Sequence, residues 1–98
     1  MDTLQVVAEP RRREILRLIW DAELAAGEIA SRFDITFGAV SQHLAVLRDA
    51  GLVTVRKDGT RRCYRADQGA LAPFREILEP MWAAKLQDLA NAIEGGER

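Results

Sequence analysis

Apolar residues recur at helical spacing in five segments of this chain, and residues that favour helix ends stand between the segments. Pro10 suits the first turn of a helix, where its missing N–H is not needed. Thr36 is a good N-cap, because its hydroxyl can accept a free N–H of the first turn. Gly51 suits the position just after a helix. The pattern predicts helices over about 1–8, 11–21, 24 or 27 to 33, 36–50 and 73–94.

Two short segments between the last two helices predict a β-hairpin. Residues 52–56 and 61–65 favour strands, and Asp58-Gly59 between them is a strong signal for a two-residue turn. Alternation along the second strand puts Arg62 and Tyr64 on one face, and Arg61, Cys63 and Arg65 on the other. Either face could be the inner one, and Tyr64 is the better candidate for the core.

This order of elements predicts a winged helix-turn-helix, a mainly α fold with a small β-hairpin wing (α-α-α-α-β-β-α). We expect one domain over 1–98, with the helix-turn-helix at 24–50 and the wing at 52–66. An α-helix of this kind enters the major groove of DNA, where base edges display a distinct donor and acceptor pattern. The fourth helix has the required inner apolar stripe, formed by Val40, Leu44 and Leu47.

The outer face of the fourth helix supplies the candidate base contacts. Gln42 can form a bidentate pair with adenine, and Ser41 can bond a base or a phosphate. Phe37 either contacts a thymine methyl or packs on the preceding helix, which is the preferred interpretation. His43 either reaches a phosphate or makes a local hydrogen bond. The predicted DNA contacts, including basic residues of the wing, are Thr36, Phe37, Gly38, Ser41, Gln42, His43, Ala45, Arg48, Lys57, Arg61 and Arg62.

The distribution of charge supports a nucleic-acid partner, although the formal net charge is only −1. Residues 37–66 carry six Lys or Arg against two Asp, a local balance of +4, whereas 1–36 and 67–98 are acidic at −2 and −3. Screening limits the reach of a charge to about 10 Å at 0.1 M salt, so the local patch matters more than the total. Charge alone leaves open that the hairpin is merely solvated.

The last helix offers more apolar surface than a chain this short can bury alone, which is typical of a partner surface. We expect a homodimer through the helices at 1–8 and 71–94, with recognition helices about 34 Å apart on a roughly palindromic operator. Pro80 should kink or interrupt the last helix near 76–79. The expected dimer residues are Leu4, Val7, Phe74, Ile77, Leu78, Met81, Trp82, Leu86, Leu89 and Ile93.

Other functional classes lack the residues that they need. His43 is the single histidine, no phosphate-binding loop or paired ligand motif is present, and we expect no enzymatic activity, cofactor or metal. Cys63 is the single cysteine, which fits a reducing cytoplasm, and we expect a small core residue rather than an oxidisable switch. Neither a membrane span nor a secretory signal is expected. The alternative function is a winged helix that binds protein, which would more often carry apolar residues on the outer face of its fourth helix.

The run from Val40 to Val53 resembles the ArsR/SmtB family of repressors, matching its pattern Val-Ser-x-His-Leu-x-x-Leu-x-x-Ala-Gly-Leu-Val at every specified position. Residues 10–16 and 56–64 are similar to the family's second helix and wing. The resemblance implies a dimer formed by the first and last helices, DNA binding by the fourth helix and wing, and repression lifted by an effector. Residues 23–28 lack the cysteine pair of metal-sensing members. The chain is more similar to a metal-independent autorepressor branch, with Met81-Trp82 in place of its aromatic-Trp pair. The operator, the effector and the regulated genes stay open.

Overall fold

The computed structural model describes residues 2–84 of the chain. Its helices are α1 (Thr3–Ala8), α2 (Pro10–Leu18), α3 (Ala26–Ala30), α4 (Phe37–Asp49), α5 (Gln68–Leu71), a 3-10 turn (Ala72–Phe74) and α6 over 75–84. Its strands are β1 (Leu24–Ala25), β2 (Val53–Asp58) and β3 (Arg61–Ala66). The described elements follow the predicted order, with β1 and α5 as additions. None of the helices in this part of the chain is long and apolar enough to cross a bilayer.

Three helix ends, at Pro10, Thr36 and Gly51, form where the sequence predicts them. Pro10 occupies the first turn of α2, and the carboxylate of Glu9 accepts the N–H of Arg12 at 2.9 Å. The hydroxyl of Thr36 accepts the N–H of Ala39 at 3.1 Å and so caps α4. Gly51 ends α4 with a φ of 76°, a left-handed conformation that a glycine adopts without steric cost. These local contacts fix both ends of α4.

The segment before α3 corrects the predicted helix at 24. Leu24 and Ala25 form β1, which pairs with Tyr64 and Cys63 of β3, so the sheet has the order β1-β3-β2. The free edge of β3 supplies backbone partners to this extended segment, and that gain outweighs its helical pattern. The second helix likewise ends at Leu18, earlier than the predicted 21.

The last helical region is divided differently from the prediction. Asp67 caps the short α5 by accepting the N–H of Ala70 at 3.1 Å, and Pro73 lies in the 3-10 turn that follows. The helical backbone of α6 then continues through Pro80, so the predicted interruption at 76–79 is absent. The residues 85–94 of the predicted helix lie outside the described residues.

The core lies between α4, α2 and the sheet. Val40, Leu44 and Leu47 are fully buried, as their spacing predicted. Burial of each such side chain stabilises the fold by roughly 1.5–3 kcal/mol. In the hairpin both faces are covered. Tyr64 is half-buried and packs against the core on the same face as the buried Val53 and Ala66, as preferred. Cys63 is 5% exposed on the opposite face, over which α3 packs, in agreement with the expectation of a small buried residue.

Two arginines of α2 fasten α1 to the core. The guanidinium of the buried Arg12 donates to the carbonyl of Val6 at 2.7 Å and to that of Gln5 at 3.3 Å. Arg13 donates to the carbonyls of Val7 and Ala8. The last carbonyls of a helix have no partner within the helix, and these contacts satisfy them. The basic run at the start of α2 therefore holds α1 in place.

Candidate nucleic-acid interface

The outer face of α4 is accessible to a partner. Phe37, Gly38 and Gln42 are exposed, and Ser41 and Ala45 are half-buried. At about 100° per residue, Gly38, Gln42 and Ala45 lie opposite the fully buried stripe, whereas Ser41 and the terminal Phe37 lie on its flank. The cap at Thr36 and the buried stripe hold the helix in place from within, so the outer face is displayed on a rigid element.

Phe37 departs from the expected packing on the preceding helix. Its side chain is 60% exposed, the largest fraction among the exposed large apolar side chains in the described part of the chain. The ring of Phe37 therefore adds an exposed apolar side chain at the edge of a face that is otherwise small or polar.

His43 and Arg48 flank the outer face and have local partners. Nδ1 of the half-buried His43 lies 4.0 Å from a carboxylate oxygen of Glu9, which is beyond hydrogen-bond distance. The guanidinium of Arg48 lies 3.7 Å from the carboxylate of Asp49, and both side chains are exposed. His43 is thus directed towards the start of α2, whereas Arg48 remains accessible at the end of α4.

Two arginines on one face of the wing are paired with carboxylates. Arg61 forms an ion pair with Glu28 of α3, whose carboxylate also accepts the N–H of Ala25 at 3.0 Å. Arg56 donates two hydrogen bonds to Glu23, at 2.6 and 2.8 Å. These bonds hold the pKa of the Glu23 carboxyl below its ordinary value and raise the pKa of Arg56.

The opposite face of the wing carries two uncompensated cations. Lys57 and Arg62 are direct cross-strand partners in the register of β2 and β3, so their side chains share a face. Both are exposed, and within residues 2–84 neither has a carboxylate in ion-pair distance. Like charges opposite each other destabilise a hairpin. An anion between them would remove this repulsion, which makes the pair a candidate phosphate contact.

The turn of the wing completes this surface. Gly59 has a φ of 64° and forms, with Thr60, the two-residue turn between Asp58 and Arg61. A shallow groove at the tip is lined by Lys57, Gly59, Thr60, Arg61 and Arg62. The structure therefore brings all three predicted wing contacts to one tip, although only two of them are free of an acidic partner there.

The acidic partners of the wing escaped the sequence analysis. Glu23 and Glu28 each lie 33 residues before the arginine that they bind. They belong to the acidic segment 1–36, and a charge balance counted separately for this segment does not pair its carboxylates with the arginines of 37–66. No local signal marks this proximity, because Leu24–Ala25 has helical spacing and becomes a strand only by pairing with Tyr64 and Cys63 of β3.

The residues expected in a dimer interface fall into three groups. Val7 and Leu78 are buried in the core of the single chain, where they have almost no surface left for a partner. Leu4, Ile77 and Met81 are 56%, 46% and 44% exposed, and Phe74 and Trp82 are half-buried. Leu86, Leu89 and Ile93 lie outside the described residues. Within residues 2–84, the accessible apolar surface of the first and last helices therefore consists mainly of Leu4, Ile77 and Met81.

Trp82 is part of the internal structure. Its indole N–H donates to the carbonyl of Arg13 at 3.1 Å, and its ring meets that of Trp20 edge-on with centroids 5.3 Å apart. The contact fastens α6 to α2. Over the described residues, no group of three or more His, Cys, Asp or Glu is arranged to hold a metal ion.

Comparison with known proteins identifies a matching family model and similar regulators. Residues 9–55 match the family model described as "Bacterial regulatory protein, arsR family". The HTH-type transcriptional regulator Rv2034 of Mycobacterium tuberculosis is 40% identical over 90 residues, which cover 92% of this chain and 84% of that protein. The arsenical resistance operon repressor of Staphylococcus aureus is 34% identical over 94 residues, or 96% of this chain and 90% of that protein.

A solved structure shows the same arrangement of elements. It is the solution structure of the homodimeric winged helix-turn-helix DNA-binding domain of Mb0332 from Mycobacterium bovis, described as a possible ArsR-family transcriptional regulator. Its TM-score is 0.69 at 29% sequence identity, and the match covers 81% of this chain and 73% of that domain.

Proposed function

Because the chain belongs to the arsR family of bacterial regulatory proteins, we propose that it binds double-stranded DNA as a homodimer and represses transcription. Family membership confirms the resemblance drawn from residues 40–53, and the winged helix-turn-helix fold is confirmed with it. The observations that carry the proposal are the accessible outer face of α4 and the two uncompensated cations of the wing, Lys57 and Arg62.

In this proposal the outer face of α4 lies in the major groove. Gln42 forms a bidentate pair with an adenine, Ser41 bonds a base edge or a phosphate, and the small Gly38 lets the helix approach. Lys57 and Arg62 neutralise backbone phosphates beside that groove, with Arg48 as a further cation at the end of α4. Phosphate contacts determine affinity and register, whereas the base contacts determine sequence preference. A regulator bound in this way represses by occupying promoter DNA.

The proposed dimer forms through α1 and α6. Leu4, Ile77 and Met81 are the exposed large apolar side chains of these two helices, and apolar surface of this kind favours burial against a partner. Both helices lie on α2, because Arg12 and Arg13 bind α1 and Trp82 binds the backbone of Arg13. A two-fold dimer presents two copies of α4, which suits a roughly palindromic operator.

The proposal includes three further properties of the chain. Residues 1–98 form one winged helix-turn-helix domain, the protein works in the cytoplasm, and it binds DNA without a metal. The last property follows from the absence of a cysteine pair at 23–28 and from a single histidine in α4. Addition of zinc to the purified protein should therefore leave its affinity for DNA unchanged.

The test is a selection of duplexes from a randomised pool by the purified chain, followed by binding measurements over a salt series. A DNA-binding dimer enriches a palindromic sequence, sediments at twice the mass of the chain and binds more weakly as salt rises, because phosphate neutralisation releases counterions. The alternative function, a winged helix that binds protein, predicts no enrichment and a salt slope near zero.

A further inference from the structure

Phe37 is an exposed aromatic side chain that takes no part in the described hydrophobic core. Three of the other large exposed apolar residues, Leu4, Ile77 and Met81, lie on the proposed dimer helices. Phe37 lies apart from them at the start of α4 and is 60% exposed. Its exposure to water is unfavourable, so a partner that covers the ring would gain by doing so.

The position of Phe37 is held from both sides. Thr36 caps the helix immediately before it, and the fully buried Val40 anchors the same turn from within. One turn of helix separates Phe37 from Ser41, so the two side chains lie next to each other on the flank of α4, between the buried stripe and the outward-facing Gln42. The ring therefore belongs to the surface proposed to enter the groove, at the end of the recognition helix that commonly contacts base edges.

Gly38 keeps the space beside the ring free. A Cβ at this position would meet nothing nearer than the hydroxyl of Thr36, at 3.9 Å, and the backbone needs no positive φ there. Neither packing nor backbone geometry of the described chain requires a glycine at this position. A partner that approaches closely would use this glycine, because the missing side chain lets the partner's surface reach the helix backbone.

The chemistry of the major groove restricts what the ring can contact. The base edges display hydrogen-bond donors and acceptors, and the C5-methyl group of thymine is their one apolar group. A phenyl ring offers neither a donor for a phosphate nor a group that could pair with N7 or O6. We propose that Phe37 reads a thymine of the operator through its C5-methyl group. The inference rests on the proposed function and adds a second base-specific contact to that of Gln42.

The experiment uses the duplex enriched from the randomised pool and replaces each thymine in turn by deoxyuridine, symmetrically in both half-sites. This exchange removes one methyl group and leaves base pairing unchanged. Burial of one methyl contributes ~0.8 kcal/mol, so wild-type affinity should fall about fourfold per half-site at the thymine under Phe37. Synthetic unmethylated DNA is used, so that 5-methylcytosine cannot supply the same group.

Two variants assign the effect to the ring. Phe37→Ala should bind the thymine and the deoxyuridine duplexes equally at that position, and its thermal unfolding should match that of the wild type because the ring is exposed. Gln42→Ala should keep the loss on methyl removal, since it changes a different base contact. The inference, but not the proposed function, would be overturned if no exchange lowered the affinity of the wild type. The same holds if the exchange lowered the affinity of Phe37→Ala as much as that of the wild type. Failure to enrich any duplex would overturn the proposed function and this inference together.

Discussion

Arg61 and Arg62 are adjacent basic residues of the wing, yet the structure predicts different consequences for their substitution. Arg61 is already paired with Glu28, whereas Arg62 stands beside Lys57 on the face without a carboxylate. We expect Arg62→Ala to remove a phosphate contact and Arg61→Ala to remove an internal ion pair. The sequence alone gives the two arginines the same role.

The size of the effect follows from counterion release. One cation that neutralises one phosphate contributes about 0.9 to the slope of log affinity against log salt, and a dimer carries two wings, so Arg62→Ala should lower the slope by about 1.8. At 0.1 M salt each such contact is worth ~8-fold in affinity relative to 1 M salt, or about 60-fold for both wings. Arg61→Ala should change the slope by less than ~0.5, because no phosphate contact is lost.

The assay measures the affinity for a labelled operator duplex by fluorescence anisotropy at salt concentrations from about 50 to 300 mM. The matched control is the double variant Arg61→Ala with Glu28→Gln, which removes the ion pair without changing the net charge. The glutamine still offers an acceptor to the N–H of Ala25, so the start of α3 is preserved. Equal slopes for Arg62→Ala and the double variant would refute the assignment of a phosphate contact to Arg62.

Three further changes test other contacts. Gln42→Ala should cost about 1–3 kcal/mol of binding and relax preference at one base pair, which a panel of single-base operator changes detects; a uniform loss over all positions would contradict base reading. Trp82→Phe removes the hydrogen bond to the carbonyl of Arg13 and should lower stability by about 1 kcal/mol, or the melting temperature by about 4–8 °C at fixed protein concentration; an unchanged melting temperature would dismiss this contact. Glu23→Gln should be destabilising near neutral pH but not in acid. The pKa of Glu23 is lower in the folded chain, so its contribution exists above the ordinary value of 4.5 and is lost as pH falls through the folded value. Urea unfolding of the wild type and of Glu23→Gln, from about pH 3 to 7, measures the difference between their free energies of unfolding. If this difference were the same at every pH, the ion pair would not be its cause.

Local signals were sufficient to predict α4 and its two ends. The cap at Thr36, the turn at Gly51 and the buried stripe each depend on residues a few positions apart, so a pattern in the sequence contains all the interacting parts. The strand Leu24–Ala25 depends on backbone partners about 40 residues later, at Tyr64 and Cys63. Helical spacing around it therefore predicted the wrong element.

The same long-range pairing decides the electrostatics of the wing. Counting charges over 37–66 gives a basic segment of +4, but β1 and α3 bring Glu23 and Glu28 against two of its arginines. The effect is not a uniform reduction of positive charge, because both acids lie on one side of the hairpin. The other side keeps Lys57 and Arg62 in direct opposition, an arrangement that the isolated protein maintains against electrostatic repulsion. A phosphate that approaches this side relieves the repulsion, whereas on the opposite side it has to compete with a carboxylate for Arg56 and for Arg61. The wing therefore has a preferred face towards DNA, and that preference originates in two acidic residues outside the basic segment.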